Sequence, residues 1–231
     1  RMLRADLIAT GHYACRVVGR DGAVRIYRGD DRKTDQTYFL WGIPREVVPY
    51  LLFPVGDLTK SDVRARAREM RLDTADKPES QEICFVPTND YTDFLAQRLG
   101  ADHPSLSPGR LVTADGELVG QRKGLGGGFS RPLYVLGVRP ERNEVVVGTA
   151  EELERTDVVL SDLNWLGQTP EVGDTVEVQI RYRAAATRAR VKHIDASRMV
   201  LALESPQRAI TPGQSGVVYR GDELLGGGRI Q

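Results

Sequence analysis

Cysteine is scarce in this chain: 231 residues carry two, Cys15 and Cys84. So few thiols cannot staple a secreted scaffold, and they point to a reducing, cytoplasmic setting. The two are too far apart for a CxxC pair or a metal-ligand spacing, which excludes zinc and thioredoxin-like chemistry. Net charge is absent too. The 32 Lys+Arg balance 32 Asp+Glu, so nucleic-acid binding by bulk charge is excluded while a local basic face remains open. No apolar run approaches the roughly 20 residues that span a bilayer. No charged-then-apolar leader opens the sequence, so neither membrane insertion nor secretion is expected. Internal repeats and low-complexity tracts are lacking as well. What is present is length, 40% hydrophobic residues and 24 Gly, enough for a real core in one large domain or two small ones.

Three zones separate by pattern. Residues 1–85 mix strand and helix signals. Ala5-Asp6-Leu7-Ile8-Ala9-Thr10-Gly11 reads as a buried strand ending in a glycine turn. Cys15–Val18 and Val24–Tyr27 flank Asp21-Gly22 as a hairpin. Thr59-Lys60-Ser61-Asp62 opens a helix with a capping box in which Asp replaces the usual Glu. Val63, Ala67 and Met70 follow on one face, and Arg64, Arg66, Arg68 and Arg71 lie largely on others. Residues 86–150 predict a small mixed domain. It has a short amphipathic helix through Tyr91, Phe94, Leu95 and Leu99, a hairpin around Asp115-Gly116, a glycine run at 124–128, and a second hairpin turning near Asn143. Residues 151–231 alternate with period two between glycine turns, and this predicts a small closed or nearly closed β-barrel. The chain opens on Arg1 and runs almost at once into a strand, so it is expected to begin partway through a larger fold.

Four constellations could carry chemistry. Cys84, within Ser80-Gln81-Glu82-Ile83-Cys84-Phe85, is either a buried small hydrophobe or a sulfur-carrying thiol. The second role requires a cleft shared with the surface that meets the substrate. Gly11-His12-Tyr13 follows a strand directly, where open α/β sheets place backbone amides at a cleft; a structural turn is the alternative. Asp35-Gln36 precede Thr37-Tyr38-Phe39-Leu40. They can hydrogen-bond to the edges of unpaired bases, or Asp35 can cap a helix, and the two are compatible. Arg181-Tyr182-Arg183, followed by Arg188, Arg190 and Lys192, suits an RNA backbone with a stacked base. Arg181 and Arg183 would share one face of an extended strand. The alternative is cross-strand pairing with Glu177 and Glu204.

In order along the chain, Ala9-Thr10-Gly11-His12-Tyr13, Thr34–Leu40, Leu52-Phe53-Pro54-Val55-Gly56, Ser80–Phe85, Gly120–Gly126, Arg181–Arg183, Thr211-Pro212-Gly213-Gln214-Ser215 and Leu225–Gly228 resemble the bacterial tRNA-specific 2-thiouridylase (MnmA) family from end to end. The resemblance implies an α/β fold, the end of an ATP-pyrophosphatase-type nucleotide-binding domain over 1–85, a small mixed linker domain over 86–150 and an all-β barrel over 151–231. It implies an enzyme that uses ATP and Mg²⁺ to adenylate O2 of the wobble uridine and then replaces that oxygen with persulfide sulfur. Cys84 matches the persulfide-bearing cysteine. Gly11 matches an ATP-contacting position. His12, Thr34, Asp35, Gln36, Arg181, Tyr182 and Gln214 match tRNA-contacting positions. The implied partners are tRNA and a persulfide sulfur-donor protein. The family's SGGxDS-type phosphate loop and its first catalytic cysteine, the disulfide partner of the position matched by Cys84, do not occur in this sequence. Nor does the loop that precedes Gln121 in the family. Cys15 stands where the family has Arg and receives no role. The chain is therefore expected to be the last two-thirds of such an enzyme and inactive alone. The alternative expectation is a non-catalytic RNA-binding module of translation-factor-barrel type.

Overall fold

The computed structural model describes residues 5–77, 91–100, 102–103, 106–121, 132–208 and 210–231. The chain forms two compact units, residues 1–75 with 154–231, and residues 76–153.

The first unit is built on a closed barrel. Six antiparallel strands run in the order β13, β10, β11, β12, β9, β14: β13 (Ser215–Arg220), β10 (Thr175–Gln179), β11 (Thr187–Ile194), β12 (Arg198–Gln207), β9 (Arg155–Trp165) and β14 (Glu223–Ile230). Pairing of β13 with β14 closes the ring. Alternation fills its interior: Val176 and Val178 of β10, Ala189 and Val191 of β11, and Met199, Leu201 and Leu203 of β12 point into one core with Val158, Leu160, Val218 and Ile230. Closure removes the open sheet edges that would otherwise invite further pairing.

The N-terminal residues wrap one outer side of this barrel. The hairpin of β2 (Ala14–Val18) and β3 (Val24–Arg28) joins the sheet through Tyr27 opposite Glu223. A second core of Ala14, Ile26, Tyr38, Leu40, Val48, Leu51 and Phe53 packs on Leu166, Val217, Tyr219 and Leu224 of the barrel's outer face. Strand β13 is therefore buried on both faces, and it reads Gly-Val-Val-Tyr rather than alternating. Gly227 makes this wrapping possible, because a Cβ there would stand 2.6 Å from the Gly216 carbonyl oxygen and 3.2 Å from the Trp41 ring.

The α/β part is the parallel pair of β1 (Ile8–Ala9) and β4 (Leu51–Leu52), followed by helix α1 (Lys60–Glu69). Two expectations change here. β1 is not buried: Leu7 is 47% and Ile8 51% exposed, because among the described residues it pairs with β4 alone. Helix α1 has the expected Thr59 and Asp62 capping box but buries no residue, and Met70 is 70% exposed. Its apolar stripe is too thin to hold it on a core.

The second unit holds helix α2 (Tyr91–Leu99) and a four-stranded mixed sheet ordered β6, β5, β8, β7. Both predicted hairpins form: β5 (Arg110–Val112) with β6 (Leu118–Gln121), and β7 (Tyr134–Arg139) with β8 (Glu144–Gly148). Gly116 and Asn143 take the left-handed turn conformations, with φ of 90° and 50°. No described helix is long and apolar enough to cross a membrane.

Candidate functional site

Most of the residues singled out in the sequence come together on the first unit, through one continuous set of contacts. It starts at Gly11, which is exposed just beyond the carboxyl end of β1. A Cβ built there would meet nothing within 4 Å, so a ligand can approach the backbone. His12 is half-buried, and its Nδ1 lies 2.7 Å from the Thr10 hydroxyl. Tyr13 then pairs with Gln36 twice. The Tyr13 N–H donates to Gln36 Oε1 at 3.1 Å, and the Gln36 N–H donates to the Tyr13 carbonyl at 3.0 Å. The Gly-His turn is thus joined to the Asp35-Gln36 segment. Gly56 brings a further strand end close, since a Cβ there would fall 1.8 Å from the Ala14 carbonyl oxygen.

Asp35 is 9% exposed and fully engaged within the chain. Its carboxylate accepts from the Gly29 N–H, the Thr37 N–H and the Thr37 hydroxyl. It also pairs with Arg28 at 2.8 Å. The N-cap position of the short 3₁₀ turn Thr37–Phe39 is Gln36, with no side-chain capping bond, so Asp35 is not its cap as the sequence allowed. Asp35 braces the turn from one residue earlier, through Thr37. Thr34 is half-buried and donates its hydroxyl to the Asp31 carbonyl at 3.2 Å.

The next contacts lead to the basic loop. Arg28 lies over the Tyr219 ring, 3.6 Å from its centroid, and donates to Gln179 Oε1 at 3.2 Å. Gln179 in turn donates from Nε2 to the carbonyls of Arg181 and Tyr182, at 3.2 and 2.7 Å. A buried side chain thus fixes the backbone on which Arg181 and Tyr182 are mounted. These residues lie in a turn between β10 and β11, not in an extended strand. Arg181 and Arg183 are exposed, and neither has an ion pair among the described residues. Arg188, by contrast, stands opposite Glu177 and pairs with Glu204 at 4.0 Å, as the cross-strand alternative anticipated.

Tyr38 joins the last segment. Its hydroxyl donates to the Ser215 carbonyl at 2.9 Å, and its ring centroid lies 6.0 Å from that of Tyr182. Burial pushes the Tyr38 phenol above its ordinary range. Gln214, beside Ser215, sits in an exposed loop closed by its N–H to the Thr211 carbonyl. Arg229 braces this loop from β14 by donating to the Gly213 carbonyl and the Ser215 hydroxyl.

Arg28, Gln179, Tyr219 and Arg229 were not singled out from the sequence. Gln179 had one usable signal: it is a polar residue bounded by Val178 and Ile180, on the barrel face that alternation assigns to solvent. Cys84, the Ser80–Phe85 segment and the glycine run at 124–128 lie outside the described residues. Cys15 is described. It lines an open cleft of about 540 Å³ with Arg16, Leu52, Phe53, Pro54, Gly56 and Asp57. Burial, reinforced by the Asp30 carboxylate 3.7 Å away, pushes its thiol up. A protonated thiol is a poor nucleophile. Among the described residues no group of His, Cys, Asp or Glu is arranged to hold a metal ion.

Comparison with known proteins fits this arrangement. Residues 1–88 match the tRNA methyl transferase HUP domain, and residues 155–230 the aminomethyltransferase beta-barrel domain. The tRNA-specific 2-thiouridylase MnmA of Carboxydothermus hydrogenoformans is 47% identical over 244 residues, covering 99% of this chain and 66% of that protein. The MnmA of Acidithiobacillus ferrooxidans is 43% identical, with 99% and 68% covered. That of Deinococcus radiodurans is 45% identical, with 100% and 62% covered. The chain spans about two-thirds of the length of these relatives. With similarity of this extent over both its N-terminal α/β part and its barrel, the chain belongs to the tRNA-specific 2-thiouridylase (MnmA) family.

Proposed function

We propose that this chain carries the tRNA-binding surface and the persulfide-bearing cysteine of an ATP-dependent enzyme that makes 2-thiouridine at the wobble position. The observation that carries the reading is the contact path from His12 through Gln36, Asp35, Arg28 and Gln179 to Arg181 and Tyr182. It continues through Tyr38 to the Gln214 loop. Segments up to about 200 residues apart in sequence share one surface, as a binding site for an extended polymer requires. Residues 1–85 serve the nucleotide-binding part, 86–150 the linker domain and 151–231 the barrel.

Each residue has a distinct task. Arg181 is the phosphate contact, because it is exposed and free of an ion pair among the described residues, and cationic side chains dominate affinity for a nucleic-acid backbone. Tyr182, His12, Thr34, Gln36 and Gln214 meet bases and sugars at the edges of the same surface. Asp35, buried with Arg28, serves tRNA indirectly: its carboxylate holds the Gly29 and Thr37 N–H groups, and Arg28 links it to Gln179, which holds the Tyr182 carbonyl. The Gly11 backbone fits an adenine nucleotide, since nothing occupies the space before it. ATP with Mg²⁺, when bound, supplies the adenylyl group that turns O2 of the base into a leaving group. Cys84 bears a terminal persulfide sulfur, loaded by a sulfur-donor protein, and this soft nucleophile attacks C2 of the base. AMP leaves with the former O2. A second thiol, that of the family's other cysteine, then cleaves the S–S bond and forms a disulfide with Cys84, releasing the thiolated base. In a cytoplasmic, reducing setting such a thiol can be reloaded between turnovers.

The test compares Cys84→Ser with Arg181→Ala, each made in the intact enzyme because this chain is expected to be inactive alone, in a thiolation assay and in tRNA binding across a salt series. The reading expects Cys84→Ser to bind tRNA normally and to transfer no sulfur. Arg181→Ala should bind more weakly, with a log–log salt slope smaller by about 0.7–0.9. Sulfur transfer that survives Cys84→Ser, or tRNA binding with no salt slope, overturns it.

A further inference from the structure

Phe39 is unusual on this surface. It is 54% exposed, yet it sits between residues that are tightly held. The preceding Thr37 and Tyr38 are buried, and the Asp35–Thr37 and Tyr38–Ser215 bonds fix the turn that carries it. Its ring centroid is 4.5 Å from that of Tyr182 and 5.6 Å from that of Tyr38. The result is a rigid three-ring cluster with one ring open to solvent. Tyr182 is flanked in sequence by Arg181 and Arg183, both exposed and without an ion pair among the described residues. Some other surface arginines of this unit are paired, Arg32 with Asp222, Arg208 with Glu154 and Arg220 with Asp174. Arg45, Arg190 and Arg198 are, like Arg181 and Arg183, exposed without an ion pair among the described residues. What sets Arg181 and Arg183 apart is their place beside the ring cluster.

An exposed aromatic ring costs free energy in water. Its presence beside two uncompensated cations suits one kind of occupant, a flat apolar ring attached to an anion. We infer that Phe39 is a stacking platform for an unpaired nucleobase of the bound RNA, with Arg181 and Arg183 receiving the phosphates on either side of that nucleotide. The inference rests on the tRNA reading and adds a base-contacting residue to it. Phe39 contributes through its π-face, which every base can use. Arg181 and Arg183 contribute through charge, which salt screens. Phe39 and the arginines therefore differ in a measurable way.

The experiment measures binding of an unmodified tRNA transcript across a salt series to the parent protein and to Phe39→Ala, Phe39→Trp and Arg181→Ala. Thermal unfolding of each variant is followed in parallel. Phe39→Ala is expected to weaken binding by about 5- to 150-fold, the range for loss of one base–aromatic stack, with the salt slope unchanged. Phe39→Trp should restore affinity, and its added indole fluorescence should be quenched on binding. Arg181→Ala should lose affinity together with salt slope. If Phe39→Ala binds like the parent while Arg181→Ala does not, the platform is overturned and the tRNA surface stands. A Phe39→Ala loss that appears only together with a lowered unfolding temperature, with no quenching in Phe39→Trp, overturns the platform as well. If the parent does not bind tRNA at all, both readings fall.

Discussion

At the scale of single residues, the buried pair of Arg28 and Asp35 holds the surface together. Their side chains are 13% and 6% exposed, and each makes additional contacts that satisfy the remaining polar atoms. Removing one member leaves the other charge uncompensated. Asp35→Ala should therefore cost roughly 3–5 kcal/mol of stability, as breaking one side of a buried ion pair does, and denaturant unfolding measures it. Tyr219 gives a pH signature. Burial raises its phenol from an ordinary value near 10 to about 12. Between those values the unfolded chain has lost the proton while the folded chain keeps it, so stability falls as pH rises. The loss should total about 3 kcal/mol between pH 10 and 12, since each pH unit across that window removes roughly 1.4 kcal/mol. It should be fully avoided below pH 10, and a Tyr219→Phe variant should lack this slope in unfolding curves taken from pH 9 to 12.

At the scale of elements, the barrel, both hairpins of the second unit and the β2–β3 hairpin were legible in the sequence. Each depends on local alternation and on turns such as Gly22 and Gly116, which adopt positive φ. What the pattern could not supply was burial on a second face. Alternation marks Val217 and Tyr219 as outward on β13, yet both are fully buried because Tyr38, Leu40 and Phe53 cover them. The same long-range covering hid Gln179 and Arg28 as site residues, since these two partners lie 151 positions apart. In the opposite direction, the apolar positions of β1 and α1 suggested cores that do not form among the described residues. Gly227 tests the covering directly. Gly227→Ala drives a methyl into the Gly216 carbonyl and the Trp41 ring, so it should cost about 1–3 kcal/mol as an overpacked core does. Circular dichroism melting would record a lowered midpoint, whereas Gly213→Ala, with open space before it, carries only its backbone cost at positive φ.

At the scale of the whole molecule, the first unit is made from two stretches separated by the second. The barrel alone, residues 154–231, would expose Leu166, Val217, Tyr219 and Leu224 to water, since these pack against the N-terminal segment. An exposed apolar patch of that kind promotes association. Residues 154–231 expressed alone should therefore bind a hydrophobic dye and self-associate in sedimentation, and adding residues 5–75 in trans should reduce both. A monomeric, dye-silent barrel would show that the covering contributes little. The wrapping also has a cost in time. The ribosome releases Arg28 and Asp35 long before Gln179, which follows Arg28 by 151 residues. At about 5–20 residues per second, the early strands wait roughly 8–30 s with their greasy side uncovered. Over that interval the apolar face of the β2–β3 hairpin has none of its barrel partners, Leu166, Val217, Tyr219 and Leu224, to cover it.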